Sequence, residues 1–423
     1  MLTRTLRSVA AGLLTTMVPL AQAGKVKIVE RDGAYQLLVD GTPFVAKGAG
    51  GQDNLDLLRE NGGNSIRTWH IDNAGYVLDE AHKRGIMVTM GIWLQHPRHG
   101  FDYTNKEAVE AQREMVRNAV LELKDHPALL MWGLGNEVEL HVDPAGVFPE
   151  IQYIAAMVEE LDPDHPQMTV IAGADREKIE LFRKTCPSID LIGVNKYGSV
   201  EKVPQMLEDA GYDGPYMITE FGPRGWWESP EAPWGADIEP TSAEKAEMYR
   251  FGYTKAVLEQ PEKCLGSYVF LWGEKQEATE TWFGMFLKDG GRTPVVDVMR
   301  EMWTGTPPVN RAPVVSGIKS RAALKSVNPG ETFEARAIVD DHEDDQLAFE
   351  WVIIEESTDR RSGGDAEYAP PRRTELTLNS GRSTGTFRAP MEPGPYRIFV
   401  FARDIHGGVG TANIPFHVGS WDD

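Results

Sequence analysis

Between residues 44 and 303, short apolar runs and longer amphipathic patterns alternate eight times, and this alternation narrows the choice of fold more than any other feature of the chain. The runs are Phe44 to Gly48, Asn64 to Thr68, Met87 to Ile92, Leu129 to Leu134, Met168 to Ala172, Leu191 to Val194, Tyr216 to Thr219 and Gly266 to Leu271. The helical patterns are Leu55 to Asn61, Ala74 to Arg84, Lys106 to Lys124, Ile151 to Leu161, Glu177 to Lys184, Val203 to Ala210, Ala243 to Gln260 and Val295 to Trp303. In the third of these Ala108, Ala111, Met115, Ala119 and Leu123 recur three or four apart, as an amphipathic helix requires, and Thr104 with Glu107 is spaced for a capping box. Strands alternating with helices predict a parallel sheet, and eight of each predict its closure into an α/β fold, the (β/α)8 TIM barrel. Val26 to Glu30 and Tyr35 to Val39, joined by the turn dipeptide Asp32-Gly33, read as a hairpin that plugs the barrel's floor.

The flanks differ from this pattern. Arg4 and Arg7, the apolar stretch Val9 to Leu20 and then Ala21-Gln22-Ala23 have the order of a secretory signal peptide over residues 1–23, which predicts a periplasmic or secreted protein. No other stretch is long and apolar enough for a membrane-spanning helix, so no membrane insertion is expected. The barrel with its hairpin is assigned to residues 24–304 and a linker to 305–312, where Pro307-Pro308 to Pro313 marks a change of composition. Residues 313–423 then carry β-rich segments, Thr332 to Val339, Ala348 to Ile354, Glu375 to Leu378, Tyr396 to Ala402 and Gly410 to Val418, and read as an immunoglobulin-like β-sandwich. This sandwich is expected to be independent, spacing the barrel or helping it bind a polymer, with a mobile polar loop between Ser357 and Arg373. A net charge of -21 argues against nucleic acid as a partner, because that needs a basic face. The two cysteines, Cys186 and Cys264, precede strands that are not neighbours in a barrel, so buried free thiols are expected rather than a bridge.

The chemistry is expected at the C-terminal strand ends. The run Met131-Trp132-Gly133-Leu134-Gly135-Asn136-Glu137 ends in an amide and a carboxylate, and Tyr216-Met217-Ile218-Thr219-Glu220 ends in a second carboxylate. Two convergent carboxyl groups are the minimum apparatus of glycoside hydrolysis. Around them fall Trp69, His70, Asp72, Trp93, Asn195, Trp226, Trp227, Trp234 and Trp282, where aromatic faces can stack on sugar rings and polar groups can bind hydroxyls. Glu274, Glu277 and Glu280 read as a solvated loop. His96 and His99 lack a matched carboxylate spacing, so no metal site is assigned, and no glycine motif implies a cofactor.

The segment Asp125-His126-Pro127-Ala128-Leu129-Leu130-Met131-Trp132-Gly133-Leu134-Gly135-Asn136-Glu137 resembles the acid/base segment of glycoside hydrolase family 2, in the large retaining clan of β/α barrels. Gly63-Asn64-Ser65-Ile66-Arg67-Thr68, with Leu78-Asp79-Glu80-Ala81 and Arg84-Gly85-Ile86, is similar to that family's second strand, helix and third strand, and Ile218-Thr219-Glu220-Phe221-Gly222 to its nucleophile strand. The resemblance covers residues 40 to 303. Only a short segment precedes the barrel, where the family usually carries two further domains, so clan membership transfers more safely than any one activity. It implies Glu137 as general acid/base, Glu220 as nucleophile and Asn136 as the partner of the sugar 2-hydroxyl. By position, Arg67 would lie under Glu220, Tyr197 would donate to it, and Trp272 would form an apolar floor under the reacting ring. The expected substrate is a β-linked neutral poly- or oligosaccharide, foremost a β-glucan, with Arg98 and Arg224 as the exceptions that would suit a uronate. A transglycosylase with the same carboxylate pair and a non-catalytic carbohydrate-binding protein stand as alternatives. Residues 313–418 resemble a polycystic-kidney-disease-type or cadherin-like sandwich, which would allow calcium at Asp340, Asp341, Asp344, Asp345 and Asp404.

Overall fold

A computed structural model describes residues 25–361 and 363–421, so the signal peptide assigned to residues 1–23 lies outside the described residues. Strands β1 (Val26–Arg31) and β2 (Ala34–Val39) turn at Asp32 and Gly33, whose φ angles of 54° and 81° suit a primed hairpin turn, and β3 (Thr42–Phe44) pairs next to β2. Val26 and Leu37 pack on Leu130, Met131, Met168, Met217 and Leu265, so the hairpin closes the floor of the barrel as expected.

The barrel strands are β4 (Ala46–Gly50), β5 (Ser65–Arg67), β6 (Met87–Ile92), β7 (Leu129–Asn136), β8 (Gln167–Ala172), β9 (Leu191–Asn195), β10 (Tyr216–Phe221) and β11 (Cys264–Val269). All eight are parallel and close in sequence order, β11 pairing with β4. Around them lie α1 (Leu55–Glu60), α2 (Ala74–Lys83), α3 (Lys106–Leu123), α4 (Phe148–Leu161), α5 (Arg176–Thr185), α6 (Val203–Asp209), α7 (Ser242–Tyr253) and α8 (Pro294–Thr304). The helix expected over Ala243 to Gln260 changes after Tyr253 to a π-helical turn, Thr254–Leu258. The capping box expected at Thr104 and Glu107 does not form. Asn105 is the cap, accepting from the backbone of Glu107 and Ala108, while the Thr104 hydroxyl donates to Asp102. A capping box does form at Thr241 and Glu244, at the start of α7.

Every residue of β7 is buried, as a parallel strand covered on both faces must be, and this is why its sequence reads as one apolar run. On β5, Ser65 and Arg67 are two residues apart and so share a face. That face is the barrel interior: the Ser65 hydroxyl pairs with the Tyr268 hydroxyl at 3.0 Å, and Tyr268 also meets Thr89 at 2.5 Å. One pleat nearer the C-terminal rim, the same alternation brings the Arg67 guanidinium, 2% exposed, under the mouth.

Beyond α8, β12 (Val314–Ser320), β14 (Thr332–Asp340), β18 (Thr384–Arg388) and β17 (Thr377–Asn379) form one sheet, in the order β12-β14-β18-β17. A second sheet holds β13 (Ser326–Val327), β20 (Val409–Val418), β19 (Gly394–Arg403), β15 (Ala348–Glu355) and β16 (Arg372–Arg373). Trp351, Phe333, Phe387 and Phe416 fill the space between the sheets. The acidic turn residues are committed locally: Asp341 accepts from the backbone of Asp345, Asp345 from Asn310, and Asp404 from the backbone of His406 and Gly408. Among the described residues no group of three acids, histidines or cysteines is placed to hold a metal ion.

The sandwich is not the separate spacer expected of it. Linker residues are drawn onto the barrel by Arg292 to the carbonyl of Asn310 (3.2 Å) and by the Ala312 amide to Asp297 (2.6 Å). Leu287 of the barrel packs in a buried cluster with Val352, Ile354, Phe399, Phe401 and Val409. Polar groups cross as well: Arg397 donates to the carbonyl of Asp237, Asn413 to Glu239, and the Thr411 amide to the Ser242 hydroxyl, all buried. Cys186 and Cys264 are buried and free.

Candidate active site

The C-terminal ends of the barrel strands surround a cavity of about 920 Å³. Glu137 enters it from the end of β7 with φ of 50°, a left-handed conformation uncommon for a residue with a side chain and often found where geometry is dictated by function. Its amide donates to the carbonyl of Val170 on β8 at 2.8 Å, which fixes the turn. Glu220, near the end of β10, is 6% exposed and receives three donors: Arg67 Nη1 at 3.0 Å and Trp69 Nε1 at 2.8 Å on Oε1, and the Tyr197 hydroxyl at 2.8 Å on Oε2. Burial, and next the charge of Glu220, push the Tyr197 pKa well above its ordinary value, so its oxygen keeps the proton it donates.

The two glutamates are joined by an unbroken chain of hydrogen bonds. Arg67 Nη2 donates to Asn136 Oδ1 at 2.6 Å, the same oxygen accepts from Asn195 Nδ2 at 3.1 Å, and Asn195 Nδ2 also donates to Glu137 Oε1 at 2.9 Å. Asn195 is turned by Thr219, whose hydroxyl donates to its Oδ1 at 2.8 Å. Burial, with the neighbouring charge of Glu220 second, raises the Glu137 carboxyl to about 8, so it holds a proton at neutral pH. The arrangement has one carboxyl poised to give a proton and another ringed by donors that complement a negative charge.

Of the residues singled out in the sequence, Trp69, His70, Asn136, Glu137, Asn195, Tyr197, Glu220 and Trp226 line this cavity, and so do Trp93 and Trp227. His70 stacks on Trp93 with ring centres 4.8 Å apart. Arg67 lies beneath the floor, reaching the cavity through Glu220 and Asn136. Trp272 is not the floor: β11 ends at Val269, the chain then turns, and the indole lies 1% exposed against Phe286 and Trp303, donating to the carbonyl of Asn54. Phe270 and Leu271, just past the end of β11, line the cavity instead. Trp282 is likewise a backing residue, fully buried, with Nε1 on the carbonyl of Arg224 at 3.0 Å. Trp234 packs near His417 of the sandwich, and Asp72 is exposed outside the cavity.

The loop read as solvated is not uniformly so. Glu277 is 3% exposed and lines the cavity, and burial raises its carboxyl to about 7, while Glu280 pairs with Arg372 of the sandwich. Lys196 and Lys275 also line the cavity. Lys196 directly follows β9 and is legible on that ground, whereas Lys275 lies in the loop well past the end of β11, where strand position gives no signal. Arg98 is held by Asp365 at 2.9 Å and Arg224 by Ser229, so neither arginine expected to suit a uronate lines the cavity. A buried pair, Glu139 with Lys178 at 3.0 Å, fixes the turn after β8 by taking the Ala172 amide and carbonyl. Glu139 follows Glu137 by two residues, the only signal that could have found it.

Residues 51–253 match the family model described as glycosyl hydrolases family 2, TIM barrel domain. The chain is 27% identical to the β-glucuronidase of Homo sapiens over 183 residues, covering 39% of this chain and 26% of that protein. The structure resembles a β-glucuronidase of Faecalibacterium prausnitzii (TM-score 0.54, 21% identity, 67% of this chain and 52% of that one). It also resembles Bacteroides uniformis β-glucuronidase 2 covalently bound to cyclophellitol-6-carboxylate aziridine (TM-score 0.51, 14% identity, 93% and 48%). These solved structures support the fold, and the chain spans 26% of the length of the first curated relatives it matches.

Proposed function

We propose that this chain is a retaining β-glycosidase acting on a terminal β-glucuronide, by double displacement between Glu220 and Glu137. The observation that carries the reaction is the hydrogen-bonded chain Glu220–Arg67–Asn136–Asn195–Glu137, which delivers two differently poised carboxyl groups to one cavity. In the first step Glu220 attacks the anomeric carbon, the glycosidic bond breaks, and its oxygen takes the proton of Glu137. Esterification removes the charge that helped raise the Glu137 pKa, so Glu137 becomes a base, takes a proton from water, and the resulting hydroxide displaces Glu220 with net retention. Tyr197, Trp69 and Arg67 hold the attacking carboxylate in one orientation. The sugar assignment rests on the likeness to β-glucuronidases and on Lys196 and Lys275 in the cavity wall, which offer cations to a substrate carboxylate; nothing comparable supports a β-glucan.

The test is a panel of p-nitrophenyl β-glucuronide, β-glucoside, β-galactoside and β-mannoside with soluble β-glucans, following products by proton NMR. The glucuronide is expected to be turned over at least tenfold faster in kcat/KM than any neutral aryl glycoside, with the β-anomer released first and monosaccharide as product. A neutral glycan preferred over the glucuronide ends the sugar assignment, and transfer products exceeding free sugar would make the enzyme a transglycosylase. A pH dependence follows too. Because Glu137 must be protonated in the first step and its carboxyl sits at about 8, kcat/KM for an alkyl glycoside is expected to fall as pH rises through about 8. For an aryl glycoside with an activated leaving group the same limb should be shallow, since that group departs without a proton. Equal limbs for both substrates would remove Glu137 from the acid role.

A further inference from the structure

The barrel mouth is uneven. The connections after β4 and β5, residues 51–54 and 68–73, are short, whereas those after β6 and β11, residues 93–105 and 270–293, are long. On the β4–β5 side the barrel's own loops therefore leave a gap between the β6 loop and the β11 loop. The sandwich fills it. Between β15 and β16, Asp365 receives Arg98 Nη1 at 2.9 Å and meets His99 Nε2 at 3.0 Å, both from the β6 loop. One residue earlier the Gly364 carbonyl accepts from Lys275 Nζ at 2.8 Å, and Glu367 accepts from the Ala278 amide at 2.7 Å, both on the β11 loop. Gly363, Gly364 and Asp365 line the cavity beside Lys275 and Glu277.

Local chemistry fits this bridging role. Gly363 and Gly364 have φ of 69° and 75°, a pair of left-handed residues that glycine adopts without penalty. A Cβ on Gly363 would come within 2.8 Å of the Arg98 guanidinium, so the turn lies flat on that side chain. The Lys275 side chain is 16% exposed, with its ammonium 3.5 Å from Glu277 and directed by the Gly364 carbonyl.

We infer that the sandwich supplies part of the substrate site: Asp365, anchored by Arg98 and His99, is a positioning residue that sets the Gly364 carbonyl and through it the Lys275 ammonium, which selects the substrate. The inference rests on the glycosidase reading of the cavity but not on the sugar, since Lys275 can meet a carboxylate or a hydroxyl. It is tested in the full-length protein with whichever aryl glycoside the wild type turns over best, so failure on glucuronides leaves the test intact. Asp365→Ala is expected to raise KM at least fivefold with kcat within about twofold, as loss of binding common to ground and transition state does. Asp365→Asn, which keeps an acceptor for Arg98, should recover most of the change. Lys275→Ala should raise KM at least as much, and the double variant Asp365→Ala/Lys275→Ala should be no worse than Lys275→Ala alone, because one effect runs through the other. If Asp365→Ala lowers the melting temperature enough to obscure kinetics, Gly364→Ala, strained at its φ, should give the same KM signature. An unchanged KM in Asp365→Ala and Gly364→Ala, or multiplicative effects in the double variant, overturns the inference.

Discussion

Glu220→Ala is expected to abolish turnover of every glycoside, a loss on the order of 10⁴-fold or more, because no glycosyl ester can form without the carboxylate. Glu137→Ala should behave differently. For alkyl glycosides the loss of the acid costs about 10²- to 10⁴-fold. With an activated aryl leaving group the ester still forms, and its hydrolysis becomes limiting because no base activates water. Azide needs no deprotonation and separates the roles. It should restore turnover in both variants, yielding a β-glycosyl azide from Glu137→Ala, by attack on the ester, and an α-glycosyl azide from Glu220→Ala, by direct attack in place of the nucleophile. NMR of the isolated azides decides the matter, and exchanged stereochemistry would mean that the two glutamates have each other's role. Arg67→Met is a milder companion: Glu220 and Asn136 each lose a donor, while the nucleophile and Tyr197 remain.

The barrel was legible because its signal is periodic. Fully buried parallel strands read as continuous apolar runs, and their order alone fixes which ends face the same way, so strand order by itself brings Glu137 and Glu220 to one rim. Arg67 was legible for a similar reason, since strand alternation puts it on the face of Ser65. Trp272 and Trp282 were misassigned because the rule that strand ends point into the mouth stops where the strand stops. After Val269 the chain turns, and an indole in a loop is placed by whichever apolar neighbours it finds. Glu277 and Asp365 failed to show for a different reason. A glutamate in a charged stretch carries no local mark of burial, and an aspartate in a glycine-containing polar loop none of a partner far away in sequence. Those contacts depend on how the sandwich sits on the barrel, which periodicity does not encode.

That seating leads to the largest expected effect on stability. Glu239, 5% exposed, lies at the boundary with the sandwich and accepts from Lys245, from the hydroxyls of Thr279 and Thr281, and from Asn413 Nδ2 of β20. Burial opposes its charge, but the Lys245 ammonium and the threonine hydroxyls outweigh that and hold its pKa below the ordinary carboxylate value. A group so depressed contributes stability above its unfolded pKa and loses that contribution as pH falls through the folded one. Lys245→Met leaves the carboxylate buried without its cation and should cost about 3–5 kcal/mol at neutral pH. Adding Glu239→Gln should return part of that, because the uncompensated charge is then gone. Truncation after residue 305 removes Asn413, the Arg397 donor to Asp237 and the apolar cover of Leu287 together. The truncated barrel is therefore expected to melt well below the full chain, or to aggregate, instead of standing alone. Melting of the four proteins by circular dichroism, with size-exclusion chromatography, provides the check: a truncated barrel with an unchanged melting temperature would return the sandwich to the role of a spacer, and an undisturbed Lys245→Met would mean that water reaches Glu239.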